Sequence, residues 1–319
     1  MNHLLGQTCA LLAAITWACA LVLLKRSGER IQPVSLNLYK NAVGLTLLIA
    51  TLAVLTATGC ESMQTLLQLS TGDICLLLLS GIVGIALADT LFLHALNLIG
   101  VGLMSVMDCT YTPIAVLFAW VLLSEKLTVF HYVGAGLIVA GVFIASRHSP
   151  PVNRTRRQIV GGMFLAVLAI AMMALGIVLP KPILERTGVL WATTIRLVPG
   201  FGMLALFALL GRGWKQHWRV FRPSGLWCVA LPASILGTYL SMVFWVAGFK
   251  YTYASVAAVL NQTSVIFASI LAAVFLREHF GGRKIASLLL ALVGVFIVTF
   301  SDWLATHGPV WLGMIGIGG

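Results

Sequence analysis

Four ionisable side chains lie well inside long apolar runs of this sequence: Lys40, Asp89, Asp108 and Arg196. A charge at the centre of a membrane helix costs about 2.5–3.5 kcal/mol on insertion scales, so such residues usually pair with each other or bind something. The four formal charges sum to zero, which predicts a neutral buried cluster. The two cations could attract an anionic group, and the two carboxylates could carry a proton or bind an amine.

Lys40 and Arg196 also allow a structural interpretation. Each lies six or seven residues into its apolar run, which is about 10 Å deep at 1.5 Å per residue. Long basic side chains can reach the membrane interface from that depth, or they can form a structural ion pair. We assign Lys40 and Arg196, together with Pro113, to a charge pair or to gating.

Two polar patches interrupt apolar runs at matching positions. One contains Asp108, Tyr111 and Pro113, and the other contains Asn261 and Gln262. Asp108 and Asn261 are separated by 153 residues. Proline removes one backbone hydrogen bond and frees a carbonyl for coordination. Such patches can bond between helices, but cavity lining is favoured because unpaired buried polar groups are expensive.

A wider set of candidates lies on helices that are expected to face the centre of the molecule. Aromatic side chains are typical of small-molecule pockets, although they also form interface belts. The predicted substrate-binding residues are Trp17, Asp89, His94, Asp108, Tyr111, Tyr239, Trp245, Asn261 and Gln262. No catalytic set, phosphate-binding loop or metal-ligand spacing occurs, so we expect no enzyme activity, no cofactor and no metal.

The elements that carry these residues must be membrane helices. Of the 319 residues, 60% are hydrophobic and 9% are charged, whereas soluble domains carry about 25% charged residues. Backbone groups in lipid must be satisfied within a helix or a closed barrel, and the runs are too long for barrel strands. We predict ten transmembrane spans, at residues 4–24, 34–57, 73–94, 100–123, 128–146, 158–179, 189–210, 224–247, 251–276 and 283–303.

The ten spans form two copies of one unit. Gly141-Val142-Phe143-Ile144 recurs after 153 residues as Gly294-Val295-Phe296-Ile297. Because five spans per copy is an odd number, the second copy enters the membrane from the opposite side. The predicted fold is therefore an all-α membrane protein of two inverted five-helix repeats. The predicted units are a first repeat at 1–146, a basic linker at 147–158, a second repeat at 159–303 and an apolar tail at 304–319.

The basic residues report topology and do not indicate a nucleic-acid partner. The net charge is +11, and the Lys and Arg residues lie in short turns between apolar runs. Fourteen of them fall in odd-numbered turns and four in even-numbered turns. The positive-inside rule then places the odd turns in the cytoplasm and both termini outside.

The pattern resembles a known family. Glu125 and Glu278 follow the fourth and ninth spans, and glycine-rich fifth and tenth spans come next. With ten spans in two halves, the sequence is similar to the EamA type of the drug/metabolite transporter superfamily. That resemblance implies a bacterial inner-membrane permease with a central cavity built from spans 1, 3, 4, 6, 8 and 9. Lys40 and Arg196 would then lie on more peripheral spans.

The expected function is secondary transport, with export of amino acids or related small metabolites by alternating access. The expected partners are a small-molecule substrate and the lipid bilayer. Coupling to protons is left open, and so is the choice between a monomer and a homodimer. The alternatives are a membrane-embedded binding or sensor protein that moves nothing and, less favoured, a membrane enzyme.

Overall fold

Apolar runs in lipid become helices because a helix satisfies its own backbone groups. The computed structural model describes residues 2–59, 69–123, 128–146, 155–180, 182–183, 187–210, 217–222, 225, 227–251, 260–277, 281–301 and 303–304. Within these ranges the regular structure is helical and no strand occurs, which confirms the all-α class. Glu125, Glu278, most of the basic linker and the tail beyond residue 304 lie outside the described residues.

The helices follow the predicted apolar runs. The α-helices are α1 (Asn2–Gly28), α2 (Pro33–Ala57), α3 (Thr71–Gly81), α4 (Ala88–Asp108), α5 (Tyr111–Leu123), α6 (Val129–Ser146), α7 (Arg156–Val178), α8 (Val189–Leu210), α9 (Trp227–Ser234), α10 (Ser241–Tyr251), α11 (Ser264–Phe275) and α12 (Gly282–Thr299). Two π-helical segments, π1 (Ile82–Leu87) and π2 (Ile235–Leu240), join α3 to α4 and α9 to α10.

Much of the described chain is long and apolar enough to cross a bilayer. Six stretches qualify, namely Leu4–Gly28, Pro33–Ala57, Thr71–Asp108, Arg156–Val178, Val189–Leu210 and Trp227–Gly248. Three shorter apolar helices accompany them. Large side chains such as Phe164 and Phe207 are more than 60% exposed on the outside, as expected for a surface that meets lipid. The protein is integral to the membrane, and the number of ten spans stays a prediction.

The third and fourth predicted spans are joined by a single residue. The sequence predicted a break over residues 95–99, but the helix continues there because Ala95, Leu96 and Ile99 are buried. The chain then turns at Gly100, with φ 77° and ψ 171°. This backbone conformation is essentially restricted to glycine.

The duplication is visible in the packing. Two residues from different halves are in contact, and the two residues that match them in sequence make the same contact with the halves reversed. A Cβ placed on Gly84 would lie 3.5 Å from Gly176, and one on Gly237 would lie 3.0 Å from Ala20. Gly84 and Gly237 are separated by 153 residues, and Ala20 and Gly176 by 156. The two contacts are therefore copies of each other, so that π1 packs on α7 as π2 packs on α1.

The interface between α6 and α12 has the same symmetry, because matching residues of the two helices make equivalent contacts across it. A Cβ on Gly134 would approach Gly294 and Val298, and a Cβ on Gly141 would approach Ser287 and Ala291. Gly134 matches Ser287, and Gly141 matches Gly294, at the 153-residue spacing. The interface thus maps onto itself when the halves are exchanged. Small residues let the two backbones approach closely, which is the usual basis of helix association in membranes.

The two π-helical segments also match at 153 residues. A π-turn adds a residue to the helical register and is often found at functional sites. π1 is followed directly by α4, whose second residue is Asp89. Tyr239 is the next-to-last residue of π2. Each half therefore carries an irregular segment next to a predicted site residue.

Three odd-numbered turns meet at one end of the bundle. The Asn97 amide donates to the Gly28 carbonyl at 3.0 Å, and the Lys25 ammonium donates to the Asn97 carbonyl at 3.0 Å. Ser35 Oγ and His217 Nδ1 are 3.0 Å apart. These contacts join the first turn to the third and the start of α2 to the seventh turn. The three turns therefore lie at the same end of the bundle, as expected if odd-numbered turns lie on one side of the membrane. The side of the membrane that this end faces stays a prediction.

The close crossings predict which glycines of α8 tolerate a side chain. A Cβ on Gly200 would lie 3.0 Å from Ile85 Cβ, whereas a Cβ on Gly202 meets nothing within 4 Å. Gly200→Val should destabilise the protein by about 1–3 kcal/mol through overpacking, and Gly202→Val should have little effect. Thermal unfolding in detergent compares the two variants, and equal shifts in unfolding temperature would contradict the packing described here.

Candidate functional site

Lys40 and Asp89 form an ion pair inside the bundle. The Lys40 Nζ of α2 donates to the Asp89 Oδ2 of α4, and their side chains are 9% and 14% exposed. Among the described residues this is the single pair within 4 Å between a basic and an acidic side chain. The contact favours the ion-pair interpretation of Lys40 over snorkelling. Although α2 is a peripheral span in the family resemblance, its lysine points inward.

Two asparagines that the sequence analysis did not select flank this pair. Asn37 donates its amide to the carbonyls of Ile85 and Ala86 at 3.1 and 3.2 Å and to Thr90 Oγ1 at 2.9 Å. Asn41 donates to Asn37 Oδ1 at 2.7 Å. Asn37, Lys40 and Asn41 share one helix face by their spacing.

This polar face of α2 satisfies carbonyls of π1 and fixes the start of α4. The signal in the sequence was two asparagines at helical spacing around a charged residue in an apolar run, and the structure buries both of them completely. Amides inside an apolar run are costly without partners, so the same reasoning that selected Lys40 could have selected them.

Arg196 ties three helices together. Its Nε donates to Ser80 Oγ at 3.0 Å, and a terminal nitrogen donates to the Gly176 carbonyl at 3.1 Å. These contacts connect α8 with α3 and α7. The guanidinium also interacts electrostatically with Asp89 and Tyr111. A guanidinium has five N–H donors, so the two hydrogen bonds above leave further donors for a ligand.

Asp108 lies at a break in its span. α4 ends at Asp108 and α5 begins at Tyr111, and the Thr110 hydroxyl donates to the Met107 carbonyl at 2.7 Å. Asp108 interacts electrostatically with Tyr111. It lies deep in the molecule, although part of its surface remains accessible. In the described part of the chain no cation lies within 4 Å of it.

The second polar patch repeats this break. The Thr263 hydroxyl donates to the Leu260 carbonyl at 2.5 Å, and these two residues match Thr110 and Met107 at 153 residues. Cys109 and Gln262 also match at that spacing, and they lie close enough for the Gln262 side chain to act on the Cys109 thiol. The two breaks, one from each half, therefore lie close together. Asp108 and Asn261 occupy equivalent positions directly before Cys109 and Gln262.

The resulting cluster joins all four predicted charges. Lys40 is paired with Asp89. Asp89 and Tyr111 lie within electrostatic range of Arg196, and Asp108 lies within electrostatic range of Tyr111. The formal charges of the four ionisable residues sum to zero. One carboxylate is already paired, so Asp108 is the acid that remains for a ligand or a proton.

The other predicted site residues are more dispersed. Trp17 is half-buried against Phe92, with ring centroids 6.0 Å apart. The Tyr239 hydroxyl lies 2.6 Å from Thr51 Oγ1, which ties π2 to α2. Trp245 and Asn261 are half-buried, and His94 is exposed on a different face of α4 from Asp89. Pro113 borders an apolar groove and does not join the charge cluster.

Comparisons with known proteins agree with this architecture. The model of a family described as the EamA-like transporter family matches residues 4–147 and 160–300. One solved structure, described only as the crystal structure of a protein, is 17% identical and has a TM-score of 0.66. The match covers 93% of this chain and 97% of that one, and it shows the fold alone. No curated protein matches the chain.

The cluster predicts an unusual order of stabilities. Asp89→Asn should destabilise the protein by about 3 kcal/mol or more, because it leaves Lys40 and Arg196 without the carboxylate between them. Adding Lys40→Met should then raise the unfolding temperature, since it removes the surplus cation. Thermal unfolding in detergent tests this order. A double variant less stable than Asp89→Asn alone would show that the pair is not part of a shared charge balance.

Proposed function

Since the chain belongs to the EamA-like transporter family, we propose that it is a secondary transporter that exports amino acids or closely related zwitterions. Transport proceeds by alternating access of two inverted five-helix halves in a bacterial inner membrane. Membership of this family makes the protein a membrane transporter. Its substrate, the direction of transport and the transport mechanism are proposed.

The observation that carries the proposal is that a cation and a carboxylate both lie within electrostatic range of Tyr111. These are Arg196 and Asp108. An amino acid presents a carboxylate and an ammonium group on one carbon, which suits a site with one cation and one anion. The Arg196 guanidinium would bind the carboxylate through its remaining donors, and Asp108 would bind the ammonium group. Asn261 and Gln262 would orient the substrate from the other half.

A single carboxylate also offers a simple means of proton coupling. A proton and a substrate ammonium group compete for Asp108, so binding of one favours release of the other. Exchange of protons for substrate at Asp108 would let protons that enter down their gradient drive export of the substrate. Asp89 is less suited to this role because Lys40 already neutralises it.

The moving parts of the proposed cycle are the two halves. Reciprocal contacts at Gly84 and Gly237 support equivalent packing of each half on the other, as alternating access requires. The breaks at Asp108 and Thr263, with Cys109 and Gln262 close together between them, support a site where the two halves meet. Rocking of one half against the other would then open it to either side of the membrane.

Flux in proteoliposomes tests the proposal. Purified protein should exchange at least one radiolabelled neutral amino acid faster than protein-free liposomes, and a pH gradient should change the rate. Asp108→Asn should lower the flux about tenfold or more, because a charge-assisted hydrogen bond to the ammonium is lost. Asp73→Asn is the matched control, since Asp73 is half-buried at the start of α3 and forms a capping box with the N-cap residue Ser70.

Three outcomes would contradict parts of the proposal. Equal flux in the Asp108 and Asp73 variants would remove Asp108 from the mechanism. Binding of amino acids without flux would favour a sensor over a transporter. Flux that is insensitive to pH in the wild-type protein would leave transport in place and exclude proton coupling.

A further inference from the structure

An apolar groove lies beside the charge cluster, on the outer side of α5. Its volume is about 420 Å³, and it lies between α5, α6, α7 and α12. The inner wall includes Thr110, Ile138 and Val298, which are all at least 92% buried. The groove is as large as many small-molecule pockets, but its lining is almost wholly hydrocarbon.

The two buried or half-buried polar side chains along the groove are already bonded, and the remaining hydroxyl, that of Tyr132, belongs to an exposed side chain at the mouth. The Thr110 hydroxyl donates to the Met107 carbonyl at 2.7 Å. His131 Nδ1 accepts from the Thr128 backbone N–H at 3.0 Å, and its Nε2 lies 2.8 Å from Ser301 Oγ. A polar ligand would therefore lose its hydration without gaining hydrogen bonds here, so the chemistry of the groove selects a hydrocarbon.

The groove opens onto the surface that meets lipid. At its mouth, Leu117, Tyr132 and Val139 are 48%, 65% and 64% exposed, and they continue the apolar outer surface of α5 and α6. In a bilayer the molecules next to this surface are phospholipids. Continuity with the lipid-facing surface therefore identifies the source of the hydrocarbon.

The second half carries larger side chains at two of the matching positions. Ala135 and Ile114 line the groove, and their matches at 153 residues are Leu288 and Phe267. Leu288 is a buried core residue, and Phe267 packs against the same core. At these two positions the first half leaves space that a larger side chain would occupy.

We propose that one acyl chain of a membrane phospholipid occupies this groove and packs between α5, α6 and α12. The chain reaches Thr110, which is two residues from Asp108. The lipid thus contacts the broken span that carries Asp108, and it does so without entering the polar site. This site is independent of the proposed substrate and of the direction of transport.

Photo-crosslinking in nanodiscs tests the proposal. The probe is phosphatidylcholine with a diazirine within one acyl chain, and mass spectrometry identifies the labelled residues. The wild-type protein should be labelled within residues 110–117 and 131–142. Labelling near the exposed Phe164 and Phe207 provides an internal reference for contact with bulk lipid.

Ala135→Leu copies the second half and should fill the groove. Labelling of the groove segments, relative to the reference, should fall about fivefold or more because the acyl chain loses its buried surface. Ala140→Leu adds the same atoms to an exposed position of α6 outside the groove, and it should leave labelling unchanged. If Ala135→Leu does not give a monodisperse protein, Ala135→Val provides a smaller filling with a smaller expected loss.

Two results would overturn the proposal. One is equal groove labelling in the Ala135 and Ala140 variants. The other is a rise in groove labelling when residues 305–319 are removed, since α12 leads into this apolar tail close to Val298 and Ser301. That rise would mean that the tail, and not a lipid chain, fills the groove in the full-length protein.

Discussion

Charge inside a bilayer is tolerated only where it is neutralised, and this constraint organises the centre of the molecule. Lys40 and Asp89 form a direct ion pair. Arg196 lies within electrostatic range of Asp89, and its hydrogen bonds to Ser80 and Gly176 connect α8 with α3 and α7. Because each charge costs several kcal/mol in hydrocarbon, the helices that carry these residues cannot separate freely. The cluster therefore fixes the packing of both halves as well as offering a place for a charged ligand.

The duplication supplies a scaffold in which function depends on the positions where the copies differ. Packing contacts such as Gly84–Gly176 and Gly237–Ala20 are kept in both halves. Asp108 and Asn261 differ in charge at equivalent places, so one half supplies a carboxylate that the other lacks. Ala135 and Leu288 differ in volume, and Ala135 lines the groove beside α5. A symmetric frame with local asymmetry is what a transporter needs if two similar halves are to bind one asymmetric substrate.

The sequence predicted the all-α class, the neutrality of the four charges and the match between the two polar patches. Those features depend on composition and on residue spacing, which a sequence displays directly. The partners of the charges could not be predicted, because a π-turn adds a residue and rotates every later side chain by about 100°. Asp89 follows π1 and so meets α2 at an angle that a regular helix would not give. Asn37 donates to carbonyls of π1 and Asn41 donates to Asn37, so the roles of both depend on an irregular segment that the sequence did not reveal. The one-residue turn at Gly100 could not be predicted either, because it depends on burial of the preceding residues in the folded protein.

The central claim is that Asp108 and Arg196 hold the two charged groups of an amino acid. Thermal unfolding of the purified protein tests it most directly, using neutral amino acids, their carboxamides and the corresponding acids without the amine. A ligand that binds the folded state raises its stability by mass action. The account predicts that at least one amino acid raises the unfolding temperature while its carboxamide and its deaminated acid do not, and that Asp108→Asn removes the effect. Equal stabilisation by the deaminated acid, or an undiminished effect in Asp108→Asn, would contradict it.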